Sequence, residues 1–327
     1  MSGHSSSRAS VRLATHADSW YTGNGSRLSA ELDGWLADVG ETEDPFPIKG
    51  CKAIIGPHAG YSYSGPAAAW AYKSIETENI KRVFVLGPSH HLYIQSCALS
   101  ACKEYATPIG NLPLDLETIK ELQDTGRFEI LDIDEDEAEH SLEMHLPYVR
   151  KIFEGKEISI VPIMVGAISR DVEASFGRLL APYLAREDTF CVVSSDFCHW
   201  GQRFSYTFYY PEPSPDNSVL RLSSIVAPNK THPIHESIRR LDHEAIDILT
   251  VPPGTAGESH GRFAEYLRKT KNTICGRHPI GVLLGALAAL EKDGASPTMK
   301  WVRYEQSSAC LTVRDSSVSY ASAWVTF

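Results

Sequence analysis

The sequence predicts an α/β fold with a mixed, largely parallel central sheet flanked by helices. Short β-branched apolar runs of strand length alternate with longer segments of helical spacing, and three of the runs lead straight into small residues and a histidine. The 327 residues, 43% of them hydrophobic, are enough for one sizeable core. A single domain over 11–327 follows, preceded by a polar, serine-rich tail at 1–10 that is expected to be disordered.

In chain order, helical spacing first appears at Leu28–Val39, followed by a strand at Lys52–Ile55 and a helix at Ala67–Ile75. Arg82–Leu86 reads as the second strand and Leu116–Thr125 as the third helix; the acidic run Asp132 to Glu139 reads as a solvated loop or a helix start. Leu142–Phe153 is a helix, Ile158–Val165 a strand, Val172–Ala185 a helix and Phe190–Val193 a strand, each strand bounded by Gly, Pro or Ser. A proline-rich insertion at 211–234 leaves the core, because Pro211, Pro213, Pro215, Pro228 and Pro233 suit neither element. Helices resume at His235–Leu249, Arg262–Thr270 and Pro279–Lys292, the last opening with proline in its first turn. Met299–Tyr304 and Val318–Thr326 close the chain as strands.

Charge and cysteine usage exclude several classes. With 31 Lys and Arg against 41 Asp and Glu, the net charge of −10 argues against duplex nucleic acid as the main partner. The most apolar stretch, Ile280 to Leu290, is 11 residues long and holds two glycines; a membrane span needs roughly 20. Met1 to Ser10 is polar and serine-rich with no apolar run behind it, so a secretory signal is not expected there. Seven cysteines without a CxxC pair fit free thiols in a reducing compartment, so the expected location is the cytosol, with the nucleus as a second compartment.

The chemistry sits where strands end. Ala53-Ile54-Ile55 runs into Gly56-Pro57-His58-Ala59-Gly60, Val83–Leu86 into Gly87-Pro88-Ser89-His90-His91, and Val192-Val193 into Ser194-Ser195-Asp196-Phe197-Cys198-His199. In open α/β sheets, ligands bind beyond the carboxyl ends of strands, and small residues there let the backbone turn and fix an imidazole on a rigid base. His58 and His90 are the candidate metal ligands. Asp196 and His199 fit three roles: further ligands, an acid/base pair, or groups that orient an imidazole from behind; the preferred reading is the last, with catalytic assistance. Cys275 lies near a helix start beside Arg277 and His278, surroundings that favour the thiolate a metal would meet. Cys51, Cys97, Cys102, Cys191 and Cys310 are expected as small buried hydrophobes.

Glu139-His140-Ser141-Leu142-Glu143-Met144-His145-Leu146-Pro147 lacks the four-residue histidine spacing of a metalloprotease helix. Ser141 is expected to cap the helix while Glu143 or His145 points toward the site, a purely structural role standing beside that one. No P-loop lysine motif and no GxSxG elbow occur, which removes kinase and serine hydrolase readings.

These segments, with His16-Ala17-Asp18-Ser19-Trp20-Tyr21 and Cys275-Gly276-Arg277-His278-Pro279-Ile280-Gly281, resemble the Memo family, mediators of receptor-tyrosine-kinase-driven cell motility, over nearly the whole chain. The resemblance implies a fold similar to the class III extradiol dioxygenases, which are non-haem iron enzymes. It implies a metal site of His58, His90 and Cys275, with the catalytic candidates Asp196 and His199 lining the same pocket. It also implies that Trp20 and Tyr61 serve in peptide binding; His91, Glu143, His145, Arg277 and His278 are placed in that pocket with them. A thiolate where the ring-cleaving enzymes use a carboxylate suits copper(I), with iron as the alternative, and does not suit catechol cleavage. The implied function is metal-dependent reduction of molecular oxygen to superoxide, tied to motility and cytoskeletal signalling. The alternative is a non-enzymatic adaptor for phosphotyrosine peptides or signalling proteins. Asp18 stands where many members have glycine, and the insertion at 211–234 is expected near the pocket.

Overall fold

The computed structural model describes residues 11–211 and 219–327, so the expected tail at 1–10 and the middle of the proline-rich insertion lie outside the described residues. Nine strands form the main sheet. Its centre is four parallel strands in the order Cys51–Gly56, Thr189–Ser194, Arg82–Pro88 and Ser159–Val165. Antiparallel partners extend it: Ser317–Thr326 beside Cys51–Gly56, and Cys97–Leu99 beside Ser159–Val165. The sheet is therefore mixed around a parallel core, as expected.

The central strands are apolar along their middles because helices cover them. Val83, Phe84, Val85 and Leu86 are all buried, the pattern of a strand with no solvated face. The Tyr61–Lys73 helix lies on Cys51–Gly56 and on the C-terminal hairpin of Thr298–Gln306 and Ser317–Thr326. The Arg170–Leu184 and Arg277–Lys292 helices pack on Arg82–Pro88 and Thr189–Ser194 and against each other. Their contact is close: a Cβ at Gly177 would stand 2.4 Å from the backbone nitrogen of Ala286. Helix starts follow local chemistry, with Asn24, Asp115 and Ser169 each accepting a backbone N–H from the first turn. No helix among the described residues is long and apolar enough to cross a membrane.

Three sequence expectations need correction. Of the two readings of the acidic run the helix start holds, as the helix Ile133–Ala138 opened by a reciprocal capping box of Asp132 and Glu135, but the solvated loop does not, and Asp136 is buried. The segment read as one helix at Leu142–Phe153 is two, His140–Glu143 and Leu146–Ile152, with the break at Met144 and His145. Ser141 does not cap: the Glu139 side chain accepts the Ser141 N–H at 2.8 Å, and the Ser141 hydroxyl donates to Pro88 O at 2.7 Å. Beyond these, Asp196–Trp200, for which the sequence pattern names no element, is a strand paired antiparallel with Ser317–Thr326.

The described ends of the insertion form a two-stranded ribbon, Phe208–Tyr209 with Leu220–Arg221. It docks away from the strand-end site: the Trp200 indole donates to Phe208 O at 2.8 Å, and the Tyr210 N–H donates to Ser237 Oγ of the Ile234–Leu249 helix at 2.8 Å.

Candidate metal centre at the strand ends

Because Cys51–Gly56 and Arg82–Pro88 flank Thr189–Ser194 in parallel, His58, His90 and the Ser194–Asp196 turn emerge at one edge of the sheet. They open onto a cavity of about 570 Å³, lined also by Trp20, His140, His199 and the Ser307–Ser308 turn. The first requirement for a metal centre is a bare imidazole nitrogen held in place. His58 meets it. The Ser194 hydroxyl donates to Ser141 O at 2.8 Å, so it accepts from His58 Nδ1 at 2.6 Å. That fixes the proton on Nδ1 and leaves the Nε2 lone pair facing Cys275 Sγ, 3.1 Å away.

His90 follows the same logic with a carboxylate. Glu139 accepts from His90 Nδ1 at 2.8 Å and from the His90 N–H at 2.6 Å, which places the proton on Nδ1 and frees Nε2. His140 stacks on His90 with ring centroids 4.3 Å apart, and Trp20 covers His140 at 4.4 Å. Burial and the neighbouring imidazoles push His58 well below its ordinary pKa, so it stays neutral, the form a metal requires.

Among the described residues two donor groups result, each with ligand atoms within 4.8 Å of one another: His58 with His90 and His140, and His58 with Asp196 and Cys275. His58 belongs to both. The expected ligands His58, His90 and Cys275 are thus drawn from two overlapping sets, and His140 and Asp196 complete them. Nitrogen, sulfur and carboxylate donors around one point fit a copper or iron ion chemically.

Asp196 also has a scaffold role. Its Oδ1 accepts the backbone N–H groups of His58 at 2.8 Å and Ala59 at 3.3 Å, clamping the loop rather than an imidazole. His199 Nδ1 lies 2.9 Å from Phe197 O and 3.2 Å from Thr273 O; both are acceptors, so Nδ1 carries the proton. Among the described residues no hydrogen bond joins Asp196 to His199. Both line the cavity because a register shift lies between them in the pairing with Ser317–Thr326. Regular alternation would send residues three apart to opposite faces.

Cys275 reaches the site on a tight approach. A Cβ at Gly276 would lie 2.3 Å from Ser194 O, so only glycine lets this loop close on the strand end. Its thiol does not behave as its neighbours in sequence suggest. Burial, followed by the negative charge of Asp196, pushes Cys275 well above the ordinary thiol range. Arg277 and His278 turn instead into a separate cavity, so neither offsets this effect.

A family model described as "Memo-like protein" matches residues 12–324. The chain belongs to the Memo family. It is 45% identical to Protein MEMO1 of Xenopus tropicalis over 318 residues, covering 97% of each chain. It is 44% identical to Protein MEMO1 of Homo sapiens over 323 residues, covering 98% of this chain and 99% of that one. The MEMO1 family protein MHO1 of Saccharomyces cerevisiae is 40% identical over 340 residues, with 97% and 99% covered.

Within this Memo fold the other expected pocket residues separate. Trp20 stands at the cavity mouth, 36% exposed. Tyr61 is buried and donates to Met144 O at 2.7 Å, with its ring in a neighbouring cleft beside Trp35. His91 is exposed and outside the cavity lining. Glu143 and His145 do not line it either. Glu143 accepts from Arg12 at 2.7 Å, from the His16 N–H at 2.9 Å and from the Tyr21 hydroxyl at 2.8 Å, tying down the segment that carries Trp20. His145 lies in the core with its Nδ1 2.7 Å from the Tyr72 hydroxyl. No described residue of the insertion lines the cavity, contrary to its expected place.

Residues that the sequence reading passed over are His140, Glu139 and Ser194, with Tyr63, Arg203, Phe204 and Tyr320 on the rim. The signal for His140 was its place beside Glu139; a single long helix assumed from 142 hid it. Asp18 adopts a backbone conformation that suits the glycine expected there. Its φ is +64°, a left-handed conformation that glycine adopts freely, and its carboxylate accepts the Gly23 N–H at 2.9 Å in compensation.

The buried ionisable groups predict acid sensitivity. Burial alone would raise Glu143, but hydrogen bonds and charge from His16 and Arg12 hold it at about 2, against an ordinary 4.5. That stabilisation is complete above 4.5 and is lost as pH falls toward 2. Burial lowers His145 from 6.5 to about 3, so the unfolded chain takes up that proton first and stability falls from 6.5 downward. Both effects share one sign. In metal-free protein the urea midpoint should decline below pH 6.5 and more steeply below 4.5; a midpoint unchanged down to pH 3 would contradict both assignments.

Proposed function

We propose that the chain is a metal-binding redox protein in which His58, His90 and Cys275 hold one copper ion, with iron as the alternative, and molecular oxygen is the electron acceptor. One observation carries this reading: the Ser194 hydroxyl fixes the His58 tautomer so that a bare Nε2 faces Cys275 Sγ at 3.1 Å. Bound copper(I) would supply one-electron chemistry toward oxygen, giving superoxide and drawing its electron back from an external donor. The chain's own residues then divide the work. Ser194 and Glu139 keep the imidazole protons on Nδ1, Asp196 clamps the His58 loop, and the cavity admits a small molecule while Trp20 and His140 screen one wall. The setting is the cytosol, with access to the nucleus, in motility signalling.

The test is elemental analysis after loading under anaerobic, reducing conditions. About one equivalent of copper or iron per chain is expected for a single centre of this kind. Protein that stays empty when offered either metal would end the redox reading.

The exposed aromatic rim favours a second reading, a recognition pocket for a phosphotyrosine peptide or signalling protein. Tyr63 is 60% exposed beside Trp20, and Arg203 stacks on Phe204 at 4.4 Å. Peptide binding that persists unchanged in metal-stripped protein, with no oxygen consumption in the loaded form, would support it over the first.

A further inference from the structure

A second cavity, of about 500 Å³, opens between the Ala256–Thr270 helix and the starts of the Arg170–Leu184 and Arg277–Lys292 helices. It shares no lining residue with the metal-centre cavity. In a chain of net charge −10, its wall gathers Arg170, Arg268, Lys271 and Arg277. Arg170 and Arg268 have distant carboxylates, Asp171 at 3.9 Å and Glu265 at 3.8 Å. Arg277 and Lys271 have no side-chain partner among the described residues, although both are exposed at the cavity. Unpaired surface cations are ordinary when they are scattered; here they converge with two histidines on one concavity.

The histidines are mounted from beneath. Glu173, 7% exposed, accepts from His260 Nε2 at 2.7 Å with one oxygen and from His278 Nδ1 at 2.6 Å with the other. Gly281 makes room for this carboxylate, since a Cβ there would sit 2.2 Å from Glu173 Oε2. Glu173, the only acid lining the cavity among the described residues, is therefore engaged on both oxygens, and each ring keeps a second nitrogen free of it. Phe263, Leu267 and Ile168 supply an apolar wall.

We infer that this cavity binds an organic phosphomonoester. The unpaired guanidinium of Arg277 and ammonium of Lys271 offer more N–H donors than a carboxylate's two oxygens can use, whereas a phosphate dianion has three terminal oxygens and suits guanidinium geometry. The volume and the apolar wall call for a hydrocarbon portion that inorganic phosphate lacks. The site is independent of the metal reading.

Isothermal titration of the whole protein with n-butyl phosphate and with inorganic phosphate tests this. Butyl phosphate should bind saturably at one site, at least about tenfold tighter than phosphate, because burying even part of its chain is worth that much. Combining Arg277→Glu with Lys271→Glu, at exposed positions that leave the fold intact, should weaken it by more than about tenfold through lost charge pairing. Arg203→Glu, in the metal-centre cavity, should leave it within about twofold, as distant independent sites do. Absence of saturable binding up to roughly 10 mM, or binding that survives the double charge reversal, would overturn the inference. So would binding lost in Arg203→Glu alone, which would place the anion in the other cavity.

Discussion

Cys275→Ser is expected to lower copper(I) affinity by more than about 100-fold, beyond the roughly 10–100-fold typical of groups that merely support a ligand. Sulfur is the one soft donor at this point, and a hydroxyl oxygen is a hard donor with little affinity for copper(I). Competition against a copper(I) chelator reads the change. The fold should survive, because Cys275 sits on a loop above the sheet and its sulfur's hydrogen-bond partners are His58 Nε2 at 3.1 Å and Asp196 O at 3.5 Å. The unfolding midpoint of the metal-free variant separates lost metal binding from lost structure. Full metal occupancy in the variant would remove Cys275 from the ligand set and leave the His58, His90 and His140 group as the candidate.

Arg12→Ala is expected to cost about 3–5 kcal/mol of folding stability, the range seen when one member of a buried charge network is removed. Arg12 is 0% exposed. Its guanidinium donates to Asp136 Oδ1 at 3.2 Å, Glu143 Oε2 at 2.7 Å and the carbonyls of Asp136 and Glu139, each at 2.9 Å. Alanine would strand two buried carboxylates, of which Asp136 retains only Ser100 and Tyr105 as side-chain donors. Urea unfolding of the metal-free protein measures the loss. A change under about 1 kcal/mol would show that water replaces the guanidinium at little cost. The same variant should loosen Trp20, since Glu143 would hold His16 and Tyr21 without its strongest cation.

The parallel core and the strand-end histidines were legible because β-branched runs, small residues and imidazoles are local signals that survive folding unchanged. Helix spacing also placed Val172–Ala185 and Pro279–Lys292 within a turn of their observed limits. What escaped depended on contacts far apart in sequence. Cys275 has the neighbours of an activated thiol, but its side chain turns toward Asp196, 79 positions away, while Arg277 turns elsewhere. Glu143 looked like a site residue because it is an acid among histidines; its partners Arg12, His16 and Tyr21 lie more than 120 residues upstream. His140 was hidden by an assumed continuous helix. It opens its own short helix, His140–Glu143, and its ring stacks on His90, which no periodicity argument foresees.

The register shift between Asp196 and His199 has a consequence for how such a site is kept. Phe197 and Cys198 are both buried and reach neither ligand group, but together they hold one residue more than the opposing strand does. Losing either would leave every donor present while rotating one of the flanking pair out of the cavity. Spacing there is a functional quantity in its own right, as binding as the identity of any side chain. Two chains could match at every chemically active position and still differ in activity through a single gap.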